Sequence, residues 1–210
     1  YNGEDPWDIL VKEAEVVDAL PFGCVLTLPA TGSEMNSGAV ISRESTQEKR
    51  DFGSPLTFPR FSILDPITTF SLPHKQVRNG IVDTYIHVVE QYLTYPVATP
   101  LQDRQAESIL QTLIEQADSI LAEPKSYDSM ATFMWCATQA LNGVIGCGVV
   151  QDWATHIIGH ELTAFYGLDH AETLAIIYPA LLRYKNDAKK EKLLQYGQRV
   201  FSINSGSEAE

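Results

Sequence analysis

Asp83, His87, His156, His160 and His170 are the residues of this chain whose types and spacing could do chemistry. Asp83 and His87 stand four apart in a segment, 75–93, where Val77, Ile81, Val82, Ile86, Val88, Val89 and Leu93 point almost all round a helix. Such a helix is buried. Asn79, Asp83, His87 and Glu90 recur along it at spacings of four, four and three and form one polar stripe. A buried carboxylate is costly unless something positive pairs with it, and the Asp83/His87 spacing lets both side chains reach one ion. The same spacing also serves a plain Asp–His hydrogen bond. His156 and His160 repeat it on a second helical segment. His170 follows a break at Gly167, and Asp169 with Glu172 reads as a capping box that puts His170 at a helix start. The remaining histidine, His74, follows Pro73 and reads as a surface residue.

Imidazoles with a carboxylate and no thiolate suit Zn²⁺ or Fe²⁺. The competing reading is a set of satisfied core histidines. His156-Ile157-Ile158-Gly159-His160 superficially resembles the H-E-x-x-H motif of zinc proteases. Ile157 stands where the catalytic glutamate would be, so that chemistry is excluded.

The elements that must position these residues fall into two parts. Residues 1–72 read as mixed α/β: a helix-like stretch over 8–19, then strands at 23–28, 39–42 and 61–64, the last stopped by Asp65-Pro66. Residues 73–210 read as all-helical, with segments at 75–93, 101–122, 127–147, 151–165, 171–183 and 187–201. Pro179 is expected to kink the fifth of these. The fold class is therefore α+β, mainly α.

Bulk properties narrow the partners. The chain has 210 residues and a net charge of -12, with 44% apolar and 20% charged residues. Nucleic acid and anionic membranes need a basic face, so neither is expected as a partner. No apolar run is long enough to span a bilayer. Cys24, Cys136 and Cys147 are odd in number and widely spaced, which fits neither a disulfide framework nor a thiolate zinc cluster. A reducing cytoplasm is the expected setting.

With the motifs in view, the sequence resembles the iron-containing (group III) alcohol dehydrogenase family, most closely its butanol dehydrogenase and NADPH-dependent aldehyde reductase branch. The resemblance is carried by Leu28-Pro29-Ala30-Thr31-Gly32-Ser33-Glu34, Asn79-Gly80-Ile81-Val82-Asp83 and Ala137-Thr138-Gln139-Ala140-Leu141-Asn142-Gly143. Two further blocks, residues 151–163 and Gly167-Leu168-Asp169-His170-Ala171, complete it.

The resemblance implies a dehydroquinate synthase-like fold: part of an α/β nucleotide-binding domain (1–72), then a helical metal-binding domain (73–210). It implies a metal held by Asp83, His87, His156 and His170, with His160 beside the metal as a catalytic proton relay or substrate holder. It assigns Thr27, Thr31, Ser33 and Asn36 to a loop at the nicotinamide end of the cofactor, and Lys49 to the cofactor ribose and phosphates. Without the resemblance, the hydroxyls would be ordinary turn residues and Lys49 a solvated lysine. The implied activity is hydride transfer between NADP, or NAD, and small aldehydes or alcohols, in a homodimer. A Gly-Gly-Gly-Ser phosphate loop is expected ahead of the position of Tyr1, and further helices after residue 201. The chain is thus expected to be a piece of a longer enzyme, with complete ligands, an incomplete cofactor site and little activity alone. A metal-dependent hydrolase, or a non-catalytic metal-binding domain, would share the ligands without needing the 31–36 loop.

Overall fold

The computed structural model describes residues 5–205. A four-residue helix, α1 (Trp7–Leu10), precedes β1 (Gly23–Val25). The hairpin strands β2 (Gly38–Arg43) and β3 (Glu48–Gly53) come next, then β4 (Phe61–Ile63). Long helices follow: α2 (His74–Tyr92), α3 (Pro100–Ala122), α4 (Tyr127–Leu141), α5 (Ala154–Tyr166), α6 (His170–Tyr184) and α7 (Asn186–Phe201). The described residues are thus mainly helical, with two small sheets. β1 pairs with β4 in parallel, Gly23 opposite Phe61, and β2 pairs with β3 antiparallel, Gly38 opposite Gly53.

The core is helical, and α2 runs through it. Val77, Ile86, Val88, Val89 and Leu93 from α2 and its C-terminus pack with Leu110, Leu113 and Ile120 of α3 and Met130, Phe133 and Ala137 of α4. Each fully buried large side chain contributes about 1.5–3 kcal/mol. The all-round apolar pattern of α2 is explained directly, because residues 86–93 are buried without interruption.

Four expectations are corrected. The helix expected over 8–19 stops after Leu10, and Lys12 takes a left-handed φ of 65°. Residues beyond it have little to pack on: Val17 is 68% exposed and Leu20 88%, and a short helix with no face to bury is marginal. The helix expected to reach 147 ends at Leu141, where Gly143 adopts φ 91°, open to glycine alone. The strand expected over 23–28 covers only Gly23–Val25. The strand β3 was not anticipated. Its run Glu48-Lys49-Arg50-Asp51 reads as solvated surface, and the hairpin is open enough that no apolar alternation is needed. Pro179 sits inside an uninterrupted α6 on its exposed side, where water can take the carbonyl that proline leaves unpaired.

A polar network fastens α7 to α3 beside the core. Lys192, 3% exposed, donates to Asp103 Oδ2 at 2.6 Å, and its ammonium also lies 4.6 Å from the Tyr92 ring centre. Gln195 donates to the same Asp103 oxygen at 2.8 Å and to Glu107 at 3.0 Å, and Tyr92 Oη donates to Glu107 at 2.8 Å. Removing one partner of a buried ion pair strands the other charge. Asp103→Ala is therefore expected to cost about 3–5 kcal/mol of unfolding free energy. Denaturant unfolding checks this, and a loss under about 1 kcal/mol, the ceiling for most exposed pairs, would show that the network is solvated.

Candidate metal centre

The centre is assembled at the crossing of α2, α5 and α6. Gly159 makes the α5/α6 approach possible: a Cβ there would lie 2.8 Å from Thr173 Oγ1 and 3.2 Å from Leu174 Cδ2. That closeness sets His156 and His160 of α5 against His170, the first residue of α6. The Asp169/Glu172 capping box holds the α6 start, Lys75 bridges both carboxylates at 2.8 and 3.0 Å, and Asn79 donates to Asp169 at 3.2 Å.

Asp83 Oδ1 is the hub. It lies 3.6 Å from His87 Nε2, 3.5 Å from His156 Nε2 and 3.5 Å from His170 Nε2. Asp83, His156 and His170 present ligand atoms that all lie within 4.8 Å of one another. His87 stands outside that tightest set but shares the Asp83 oxygen, and its ring stacks on His156 at 4.6 Å and 15°. Ligands about 2.0–2.2 Å from a tetrahedral ion lie about 3.4 Å apart, so the Asp83–imidazole distances match the edges of such a polyhedron. Asp83 Oδ1 and His156 Nε2 are buried and lack a hydrogen-bond partner. Polar atoms aimed at one point and left unpaired there fit a cation between them.

Electrostatics at the cluster are set by burial and by the carboxylates. Burial would push the Asp83 carboxyl up, but His87, His156 and His170 override it and hold it at about 2. Burial takes His87 down to about 4 and His170 to about 3, against the pull of Asp83. His156 behaves oppositely. Burial would lower it, but the neighbouring carboxylates of Asp83 and Glu90 raise it to about 9. His160 is lowered to about 4 by burial and by the charge of Lys49. Its ring lies 5.2 Å from that of His170.

The other sequence-derived candidates sit on the loop and hairpin beside this centre. The loop carrying Thr27, Thr31, Ser33 and Asn36 is clamped onto two helices. Gly80 of α2 admits Pro29, whose carbonyl oxygen lies 2.3 Å from where a Cβ would be. Buried Glu34 accepts from Thr138 Oγ1 of α4 at 2.5 Å. Thr27, Thr31 and Ser33 are exposed on this loop. Asn36 is engaged internally: its Nδ2 donates to Thr31 O at 2.9 Å and Leu141 O at 3.4 Å, and its Oδ1 accepts from Gly38 N at 3.0 Å. Lys49 on β3 is half-buried, with its pKa lowered by burial and supported by Asp83. Its charge is felt at His160 and His170, so it shares their side of the molecule. His74 is exposed, as expected.

Two neighbours of the cluster had not been singled out. Trp153 packs its ring edge-on to His156 at 5.4 Å and to His87 at 6.2 Å. Glu90 contacts His156 Nδ1. The signal for Glu90 was its place in the polar stripe after His87. Trp153 carried none.

A buried cluster of three imidazoles around one carboxylate is the kind of centre built to take a divalent cation. The comparisons agree on its lineage. Residues 78–210 match the profile of the Fe-containing alcohol dehydrogenase family, C-terminal, and residues 1–66 match that of the iron-containing alcohol dehydrogenases. The chain belongs to the iron-containing alcohol dehydrogenase family, in its butanol dehydrogenase and aldehyde reductase branch. It is 58% identical to the NADPH-dependent aldehyde reductase YqhD of Escherichia coli over 98% of this chain and 54% of that protein. It is 45% identical to the probable NADH-dependent butanol dehydrogenase 1 of Bacillus subtilis, over 100% and 54%. The crystal structure of E. coli YqhD superposes with a TM-score of 0.97 at 57% identity, covering all of this chain and 54% of that one. NADH-dependent butanol dehydrogenase A of Thermotoga maritima superposes with a TM-score of 0.94 at 34% identity, covering 100% and 52%. The chain spans about half the length of the curated relatives it matches.

The protonation pattern gives a test of the centre. At about pH 7.5 Asp83 is ionised, His87 and His170 are neutral, and His156, near 9, carries a proton that a cation must displace. Zn²⁺ uptake at that pH is expected to release about one proton per ion. Calorimetric titration in buffers of different ionisation enthalpy reads this directly, and release near zero would contradict the pattern.

Proposed function

We propose that the protein is a metal-dependent alcohol dehydrogenase or aldehyde reductase that moves hydride between NAD(P)H and small or medium aldehydes. The observation that carries this reading is the convergence of His87, His156 and His170 on the buried Asp83 oxygen. Family membership supports it. In this reading Asp83, His87, His156 and His170 hold Fe²⁺ or Zn²⁺. Three neutral imidazoles and one carboxylate leave a divalent ion with a net charge near +1. Such an ion supplies Lewis acidity toward a carbonyl oxygen, and nicotinamide supplies the hydride. NADP is favoured over NAD by the identity with an NADPH-dependent aldehyde reductase, although butanol dehydrogenases named as NADH-dependent are also similar.

The chain's own residues do the rest. His160, neutral at neutral pH because its pKa lies near 4, relays a proton to the product oxygen rather than storing one. Thr27, Thr31 and Ser33 offer exposed hydroxyls to the nicotinamide end of the cofactor, and Asn36 holds their loop in shape. The Lys49 ammonium faces the cofactor ribose and phosphates. Residues 1–72 are the closing part of a nucleotide-binding domain and 73–210 a helical metal-binding domain of a dehydroquinate synthase-like fold. The working unit is a homodimer in the cytoplasm. No helix among the described residues is long and apolar enough to cross a membrane.

His156→Ala is expected to abolish metal retention, read by elemental analysis after gel filtration. Full occupancy in that variant would remove His156 from the ligand set. In an enzyme of this sequence with a complete nicotinamide site, His160→Gln is expected to retain the metal and to lower kcat for butyraldehyde reduction with NADPH by about 10²-fold. Unchanged kcat would take the proton relay away from His160. Nicotinamide-independent hydrolysis by the wild-type protein would favour a hydrolase instead.

A further inference from the structure

Glu90 is a carboxylate buried to 4% exposure inside α2, one turn beyond His87. No lysine or arginine pairs with it among the described residues. Its partners are all donors from the first turn of α5. Oε1 accepts from Thr155 N at 2.5 Å, and Oε2 accepts from His156 N at 3.3 Å. Oε2 also meets the His156 ring at Nδ1. A cavity of about 10 Å³ adjoins it, lined also by Thr155, Tyr178 and Lys189. The backbone ties the same two segments together, because Asp152 N donates to Glu90 O at 2.9 Å. Asp152 is in turn held by Lys189 of α7 at 2.7 Å.

Both Glu90 oxygens already accept main-chain N–H bonds, so the ring nitrogen facing Oε2 is the donor of that contact. Nδ1–H toward Glu90 leaves the lone pair of the neutral ring on Nε2, the atom 3.5 Å from Asp83 Oδ1. We propose that Glu90 is a positioning residue for the metal: it selects the Nδ1–H form of His156, fixes the ring plane and makes Nε2 the more basic donor. The inference rests on the metal reading given above and goes beyond its ligand set. The same carboxylate also caps α5, so a purely structural role must be separated from this one.

Glu90→Gln does so. An amide keeps one acceptor oxygen for the helix start but must turn its NH₂ toward either a backbone N–H or Nδ1. Facing Nδ1 it favours the Nε2–H ring, with the proton where the ion belongs. Zn²⁺ affinity of the full chain, measured by chelator competition, is expected to fall about 10–100-fold in Glu90→Gln, as it does for partners of metal-bound histidines in general. Far-UV and thermal unfolding of the Zn²⁺-free proteins show whether the α5 cap is intact. Affinity within about threefold of wild type would overturn the proposal. Nitrogen NMR of the His156 ring in the Zn²⁺-loaded wild type is a second arm that needs no variant. A proton on Nδ1 is expected, and one on neither nitrogen, or a ring bound through Nδ1, would overturn it. If the wild-type chain takes up no Zn²⁺ or Fe²⁺, the metal reading itself fails, an outcome distinct from a metal-binding wild type that ignores Glu90.

Discussion

A carboxylate inside a fully packed helix is the constraint from which the rest of the site follows. Asp83 is 3% exposed in the stretch of α2 that also carries the core. Left alone there it would cost several kcal/mol or take up a proton. Its solution is to collect imidazoles from its own helix and from two others, each with Nε2 within 3.6 Å of one oxygen. That convergence dictates how the helices meet. α5 and α6 must cross closely enough for histidines on both to reach one point, and a glycine at 159 permits it. α6 must begin at His170, and a capping box with Lys75 and Asn79 around it fixes that start.

The same logic extends outward through α5. In its first turn Trp153 makes no side-chain capping bond, and Asp152 Oδ1 reaches only Ala154 N, at 3.2 Å, so the turn leans on another helix. It is held by Glu90 from α2, through two main-chain donors and one ring nitrogen. Asp152 adds a main-chain bond back to Glu90 and an ion pair out to Lys189. The position of His156 is thus set by α2 and indirectly by α7. The buried network of Lys192, Asp103 and Gln195 keeps α7 in place against α3.

Much of this was legible in the residues, for identifiable reasons. Long helices with a 3.6-residue apolar repeat announce themselves, and α2, α3, α6 and α7 begin and end within a residue or so of expectation. The Asp83/His87 spacing and the Asp169/Glu172 box are local patterns, so they too could be read. What escaped depends on long-range packing. The stretch after Leu10 has helical periodicity but no surface to lie on. The end of α4 hangs on the φ of Gly143, and the charged strand β3 exists because β2 lies beside it. Glu90 was visible as a polar residue on a buried helix, but its partners are 65 and 66 positions away. No spacing rule connects them.

The hairpin that the sequence hid also changes how the centre works electrically. The chain is acidic overall, at -12, yet a cation on β3, the half-buried Lys49, acts on His160 and His170. A positive charge at that place disfavours protonation of both rings. It adds to burial in keeping both rings neutral at ordinary pH. Asp83 pulls the other way and would otherwise draw protons into the cluster. Burial, the largest cause at each, keeps His87, His160 and His170 neutral, and at His160 and His170 the lysine on the hairpin adds to it. The fourth, His156, sits between Asp83 and Glu90 and keeps its proton.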